Sequence, residues 1–274
     1  MKKILLLSAL TALFAACSQD KAPKVLVLYY SQTSTTKVVA EEISKRLGAD
    51  IEEIVPVEPY GTDFQATIAR SSQERESGKL PEIKPLASDI SSYDVIFLGY
   101  PVWFGTYALP IGTLLDNVDF SGKKVVPFCT FGSGGLDSST RDLKAKLSGA
   151  EVLPGYGVRQ ARIAAVPAEV ERFLKLGGFL EGEAEAYEDF GAVHPVSEAE
   201  SAIFDAAVGT YPMIQAKAES VSSRPVPGGT EYLFEARDVP RGPAPDPAAP
   251  ATPPFKVCVL DLDGQDPVFT QVLR

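Results

Sequence analysis

The side chains best suited to hold a small ligand form a hydroxyl-rich turn, Ser31-Gln-Thr-Ser-Thr-Thr36. The apolar run before it, residues 25–30, predicts a strand that is buried on both faces. After it, Val38, Val39, Ile43 and Leu47 share one face of a predicted helix. A helix N-terminus carries free backbone N–H groups and a partial positive charge, so this arrangement predicts an anion site. The hydroxyl donors are Ser31, Thr33, Ser34, Thr35 and Thr36, which suit a phosphate in a mostly neutral pocket.

The turn matches neither of the two common phosphate-binding motifs. A nucleoside-triphosphate loop needs Gly-x-x-x-x-Gly-Lys-Ser/Thr, and the chain contains no such run. The dinucleotide fingerprint Gly-x-Gly-x-x-Gly does not follow the strand either. The alternative to a phosphate site is that Ser and Thr only cap the helix.

Two further loops follow predicted strands. Residues 95–100 lead into Pro101-Val-Trp-Phe-Gly-Thr106, which contains Trp103, the sole tryptophan of the chain. Residues 124–129 lead into Thr130-Phe-Gly-Ser-Gly-Gly135, whose glycines allow close backbone approach. Because ligands of doubly wound sheets bind outside the carboxyl ends of strands, these loops are predicted to share one site. The aromatic pair can pack against a flat ring; the alternative is a buried tryptophan at a loop base.

In order and sequence, the three loops resemble those of the flavodoxin family. Residues 31–36 are similar to its phosphate loop, Ser/Thr-x-Thr-Gly-x-Thr, with Ser34 at the usual glycine, a residue that tolerates positive φ. Residues 101–106 resemble the Tyr/Asn-Pro-x-Trp-Trp-Gly-Thr loop of one flavodoxin branch, with Phe104 at the second tryptophan. Asp119-Phe-Ser-Gly-Lys123 also matches that branch.

This resemblance implies an α/β fold for residues 24–178, a doubly wound parallel five-stranded sheet in the order 2-1-3-4-5. It implies FMN as the cofactor, with its phosphate on residues 31–36. The implied ring contacts are Pro101, Val102, Trp103, Phe104, Gly105, Thr106, Thr130, Phe131, Gly132, Gly134 and Gly135. The expected function is electron transfer, or reduction of a small acceptor such as a quinone. The flavin carries the chemistry, so no catalytic side chain is expected.

The amino terminus predicts export. Met1-Lys-Lys3 is basic, and the apolar residues 4–16 are too short to anchor stably across a bilayer. The ending Leu13-Phe-Ala-Ala-Cys17 resembles a bacterial lipoprotein cleavage site, with Cys17 as the lipidated residue. Residues 1–16 are therefore predicted to be a signal peptide and residues 17–23 a tether, so that lipid holds the protein to a bacterial membrane. An ordinary secretory signal is the alternative.

The second half has a different pattern. Acidic, Gly/Ala-rich residues 179–195 are expected to be a linker, followed by a helix from Val196 through Ala207. The predicted order then runs through an extended segment at 211–221, a turn-rich segment at 222–229, a strand at 230–236, a Pro-rich exposed loop at 239–254, and a hairpin of residues 255–261 and 267–273. A helix followed by antiparallel strands predicts an α+β domain.

This second pattern resembles the cystatin fold, and predicts a cystatin-like domain at residues 196–274. Arg224-Pro-Val-Pro-Gly228 and Thr230-Glu-Tyr232 stand where cystatins have Gln-x-Val-x-Gly and Thr-Asn-Tyr. Two interpretations stay open, an inhibitor of a peptidase and a module for packing or for binding a protein partner. The second also underlies the competing hypothesis for the whole chain, a non-enzymatic binding module that has lost FMN.

The composition of the chain argues against several other classes of protein. A length of 274 residues with 45% hydrophobic residues favours about two domains with real cores. The net charge of −10, without a basic stretch beyond the amino terminus, argues against nucleic-acid binding. The only histidine, His194, falls in the predicted linker, which argues against hydrolase triads and histidine metal sites. Cys129 and Cys258 are expected to be buried small hydrophobes.

Overall fold

The computed structural model describes residues 22–184, 186–209, 211–239 and 252–273. The predicted signal peptide (residues 1–16), Cys17 and most of the tether lie outside these residues, as do residues 240–251 of the Pro-rich segment. Within the described ranges, the helices are all too short or too polar to cross a membrane.

The first half is a parallel sheet between two layers of helices. Its elements are β1 (Val25–Tyr29), α1 (Thr35–Leu47), β2 (Asp50–Glu53), α2 (Phe64–Ser77), β3 (Val95–Trp103), β4 (Thr106–Tyr107), α3 (Leu109–Asn117), β5 (Lys124–Phe131), α4 (Leu136–Lys146), β6 (Glu151–Val152), β7 (Tyr156–Arg159) and α5 (Val166–Leu176). The parallel order is β2-β1-β3-β5. The fifth position, at the edge of the sheet, is shared by two short strands, β6 and β7, which both pair with β5. The predicted order 2-1-3-4-5 is therefore confirmed, and β4 is an addition that pairs with the end of β3.

Alternation along the strands divides the core of this half between the two faces of the sheet. Leu26 and Leu28 of β1 belong to the cluster that includes Leu114 of α3 and Leu143 of α4. Val27, between them, belongs to the opposite cluster, in which α1 and α5 contribute Val39, Ile43, Val170 and Leu174. Burial on both faces explains why β1, β3 and β5 read as continuous apolar runs, whereas the exposed edge strand β2 does not.

The second half is a helix on an antiparallel sheet, which confirms the α+β prediction. Its elements are β8 (His194–Pro195), α6 (Glu198–Val208), β9 (Ala216–Val226), β10 (Gly229–Asp238), β11 (Phe255–Leu262) and β12 (Val268–Leu273). The strand order is β12-β11-β10-β9-β8. Phe204 of α6 packs against Phe234 of β10, with ring centroids 5.2 Å apart. Ser197 and Glu200 form a capping box that begins α6.

Two predicted segment boundaries of this half are wrong. Residues 222–226 are not turns but the end of β9, and only Pro227 and Gly228 separate it from β10. Proline is tolerated at position 225 because, among the described strands, β8 pairs only with Ser220 and Val221, so residue 225 has no strand partner on that side of β9. The extended segment also begins at Ala216 rather than at residue 211.

The predicted linker of residues 179–195 is anchored at both ends. The Phe179 ring packs edge-on against Phe97 of β3, with centroids 5.0 Å apart. At the other end, His194 and Pro195 pair with β9, so His194 lies in a strand and not in a loop. Its Nε2 lies 2.9 Å from a carboxylate oxygen of Glu200, and this hydrogen bond raises the pKa of His194.

Candidate functional site

The N-terminus of α1 presents a row of free backbone donors. Among the described residues, no group accepts a hydrogen bond from the amides of residues 33–36. The next amide, that of Lys37, donates to Ser31 Oγ at 3.2 Å, so Ser31 caps the helix. The free amides lie at the positive end of the helix dipole, which makes this turn an anion site.

Ser34, immediately before α1, adopts the left-handed conformation with φ of 61°. This conformation costs an L-residue about 1–2 kcal/mol, whereas glycine adopts it freely but loses more entropy on folding. We expect Ser34→Gly to raise the free energy of unfolding by about 0.5–1 kcal/mol, or the Tm by about 1–4 °C. Thermal unfolding of the purified protein measures this, with Ser34→Ala as the control that keeps the backbone cost. A Gly variant no more stable than the Ala variant would contradict the assignment.

The predicted loop 101–106 is a tight hairpin rather than a loop. Strand β3 continues to Trp103, which pairs with Thr106 of β4. The two turn residues, Phe104 and Gly105, have φ of 51° and 80°, the combination that a type I′ turn requires. A bulky residue is rare in this conformation and signals local strain, which tends to occur at functional sites. The Phe104 side chain nevertheless remains 46% exposed.

Trp103 is held from behind by two tyrosines. Its ring makes edge contacts with Tyr30 and Tyr60, at centroid distances of 5.8 and 5.0 Å. Burial raises the pKa of both phenols, and Tyr60 also hydrogen-bonds to Glu74, so both rings stay neutral. The indole therefore has a defined position at the carboxyl end of β3.

Direct contacts join the third predicted loop, residues 130–135, to the other two. Thr130 Oγ1 lies 2.8 Å from Thr36 Oγ1 in the first turn of α1. Just after the loop, in the first turn of α4, Ser138 Oγ donates to the carbonyl of Gly105 at 2.5 Å. Gly135 has φ of 123°, and a Cβ there would lie 2.5 Å from Val102 Cγ1. Gly135 thus makes room for the hairpin.

The three segments and α2 enclose a cavity of about 330 Å³, at the small end of the range for ligand pockets. The predicted residues that line it are Thr33, Thr35, Pro101, Val102, Trp103, Phe104, Thr130, Phe131 and Gly132. The other predicted residues, which lie outside the lining, are Ser31, Ser34, Thr36, Gly105, Thr106, Gly134 and Gly135. Of these, Ser31 accepts a hydrogen bond from the Lys37 amide, Thr36 contacts Thr130, and Gly135 makes room for Val102.

One wall of the cavity was not predicted. Helix α2 contributes Phe64, Thr67, Ile68 and Ser71, which follow the spacing of one helix face. The other unpredicted lining residues are Gln32, Thr62 and Gln160. A signal for α2 exists in the sequence, because Asp63 caps it by accepting from the Ala66 amide at 2.6 Å and Gly78, with φ of 68°, ends it. Its weak apolar periodicity hides that signal.

The chemistry of the cavity is that of binding rather than acid–base catalysis. Every described residue that lines it is uncharged. The lining includes the hydroxyls of Thr33 and Thr35 beside the free amides of α1, and the aromatic residues Trp103, Phe104 and Phe64. Within the described residues, no cluster of three or more His, Cys, Asp or Glu side chains could hold a metal ion. The arrangement fits a flat aromatic group that carries a phosphate.

Comparisons with known proteins match the first half of the chain. The flavodoxin family model matches residues 24–166. A protein of Bacteroides eggerthii assigned as a flavoprotein is 32% identical, with a TM-score of 0.47 over 54% of this chain and 98% of that one. A Bacteroides uniformis protein with the same assignment is 28% identical, with a TM-score of 0.49 over 55% and 99%. A Lactobacillus acidophilus flavoprotein in complex with FMN is 28% identical, with a TM-score of 0.47 over 56% and 100%. No curated protein matches the chain.

Proposed function

This chain belongs to the flavodoxin family, and from that premise we propose that it binds FMN and transfers electrons to a small acceptor. One observation carries the proposal. The free amides at the start of α1 open beside an uncharged cavity with aromatic walls. FMN has the matching parts, a phosphate dianion and a flat apolar ring system.

The residues divide between the two parts of FMN. The amides of residues 33–36 and the hydroxyls of Thr33 and Thr35 would hold the phosphate, because they donate hydrogen bonds at the positive end of α1. Trp103 and Phe104 would pack against the ring, and the backbone at Phe131 and Gly132 would border its polar edge. A phosphate held by neutral donors leaves the cavity without fixed positive charge.

The work of the protein is to position the cofactor and exclude water. FMN supplies the electron transfer when it is bound. Trp103 lines the cavity, and its ring is supported by edge contacts with Tyr30 and Tyr60. The rings of Phe64 and Phe104 are 71% and 46% exposed, and they leave an apolar opening towards solvent. We assign this opening to a small, flat acceptor such as a quinone.

The location and the second domain complete the proposal. The basic and apolar residues before Cys17 support export and lipid anchoring to a bacterial membrane. Export in unfolded form would require FMN to be loaded outside the cytoplasm. For residues 196–274 we propose a cystatin-like packing module. Arg224, which stands in the inhibitor-like motif, pairs with Glu231 and packs over the Phe190 ring, 4.3 Å from its centroid. That residue is engaged within the chain and not presented to a peptidase.

Spectra of the soluble protein test the proposed function. Purified residues 18–274, without lipid, are incubated with excess FMN and desalted. We expect near-stoichiometric flavin absorption with shifted bands. After anaerobic reduction with dithionite, addition of a water-soluble benzoquinone should restore the oxidised spectrum. A colourless protein with a folded circular dichroism spectrum would contradict FMN binding, and a loaded protein that no quinone reoxidises would contradict the choice of acceptor.

A further inference from the structure

The second domain is packed directly on the third loop, residues 130–135. The Val272 amide of β12 donates to the carbonyl of Ser133 at 2.6 Å. A Cβ on the next residue, Gly134, would lie 2.1 Å from the Val272 carbonyl oxygen. The Tyr211 hydroxyl lies 2.8 Å from the place that a Cβ would take on Gly132. Consecutive residues of a cavity-forming loop thus touch the second domain.

A buried arginine bridges the same two parts. Arg159 ends β7 and is only 6% exposed. Its Nε donates to the Gly132 carbonyl at 2.8 Å, and its Nη1 donates to the Phe269 carbonyl of β12 at 2.9 Å. The guanidinium also lies 3.3 Å from the centroid of the Phe269 ring. Arg159 therefore binds the loop and the second domain with one rigid group.

The partners of Arg159 are unusual for a buried cation. Among the described residues, no carboxylate forms an ion pair with it, and its partners are backbone carbonyls and aromatic rings. Burial lowers the pKa of Arg159 to about 10, so the group stays charged at neutral pH. Charge-assisted hydrogen bonds are roughly twice as strong as neutral ones, and the planar fork fixes their direction. This bridge holds the Gly132 carbonyl in one orientation.

The loop position matters because Thr130, Phe131 and Gly132 line the cavity. We propose that Arg159 is a positioning residue that ties β12 to this loop, so that docking of the second domain and binding of FMN strengthen each other. This inference rests on the proposed function. Coupling of this kind is reciprocal: FMN binding must strengthen docking of the second domain by the same factor by which docking strengthens FMN binding.

Two substitutions disrupt the contact between the loop and β12, and we call them the bridge variants. Arg159→Met removes both donors at similar length, and Gly134→Ala forces the loop away from Val272. The matched controls are Arg162→Met, which removes a cation paired with Glu169 in the first domain, and Ser133→Ala, which keeps the backbone bond to Val272. We expect both bridge variants to weaken the Kd for FMN about tenfold, and both controls to leave it unchanged. Arg159→Lys keeps the charge but lacks the planar fork of donors, so its Kd for FMN should lie between those of the wild type and Arg159→Met.

Hydrogen exchange distinguishes the proposed coupling from a purely structural role of Arg159, because a structural role alone would not make exchange depend on FMN. Added FMN should slow exchange of the Val272 amide in the wild type, and should not slow it in Arg159→Met. Circular dichroism checks that each variant is folded. If Arg159→Met does not fold, Arg159→Lys replaces it in both measurements. Two results together would overturn the coupling and leave the proposed function intact. In the first, the folded variants bind FMN as tightly as the wild type. In the second, FMN does not change the exchange rate of the Val272 amide in the wild type. A wild type that binds no FMN would overturn both.

Discussion

Replacement of Thr33 by aspartate should weaken FMN binding by about 100-fold or more, while the apoprotein stays as stable as the wild type or becomes slightly more stable. Thr33 is exposed, lines the cavity and lies one residue before Ser34, the N-cap of α1. A carboxylate there is favourable to the helix dipole by about 0.3–1 kcal/mol. The same carboxylate would repel a phosphate by about 4 kcal/mol per unit charge at 4 Å and an effective dielectric constant of 20. Tenfold in affinity corresponds to about 1.4 kcal/mol.

The opposite signs of the two effects make this substitution informative. The Kd for FMN and the Tm of the apoprotein are measured on the same preparation. Thr33→Asn is the control, because it has the size of aspartate without the charge, and it should bind FMN nearly as well as the wild type. If Thr33→Asp bound FMN as tightly as Thr33→Asn, the phosphate would not lie at the start of α1.

Phe104→Gly should weaken FMN binding without lowering the stability of the apoprotein. Glycine removes the strain of φ at 51°, which is of order 1 kcal/mol, so the apoprotein should unfold at the same or a higher temperature. The loss of the ring removes an aromatic contact with the flavin, worth about 0.5–1.5 kcal/mol beyond the area it buries. We expect FMN affinity to fall about tenfold or more. The ring also lies 5.1 Å from the Arg75 guanidinium, an exposed contact of small effect.

Two controls isolate the ring from the backbone. Phe104→Asn accepts the left-handed conformation without a ring, and should bind FMN as weakly as Phe104→Gly. Phe104→Tyr keeps both the ring and the strain, and should bind like the wild type. Wild-type affinity in Phe104→Gly would show that the hairpin tip does not contact the cofactor.

The sheet could be predicted because its central strands depend on local sequence. Apolar runs marked β1, β3 and β5, and the residue types after them predicted a ligand side of the sheet, where the structure has a cavity. At Ser34, which stands at the usual glycine of the resembling loop, the structure keeps a positive φ of 61°, although the residue is a serine. The fifth strand position, which is divided into β6 and β7, left no such run.

Contacts between distant segments could not be predicted. The glycines of residues 130–135 indicated close backbone approach to a ligand. Gly134 makes room for Val272, and Gly135 makes room for Val102, whereas only Gly132 faces the cavity. Helix α2 was missed because Phe64 is 71% exposed and Ser71 is the only buried residue in it, so its pattern lacks an apolar stripe.

The most direct test of the central claim uses the fluorescence of Trp103. It is the only tryptophan in the chain and it lines the cavity, so a flavin bound there must quench its emission. The soluble protein is titrated with FMN and, separately, with riboflavin, which has the same ring but no phosphate. We expect FMN to quench to saturation at one equivalent, and riboflavin to bind about 100-fold more weakly, since the charged phosphate contacts are worth about 1.5–3 kcal/mol each. Absence of quenching by FMN, or equal affinity for the two flavins, would contradict a cofactor held between the start of α1 and the Trp103 hairpin.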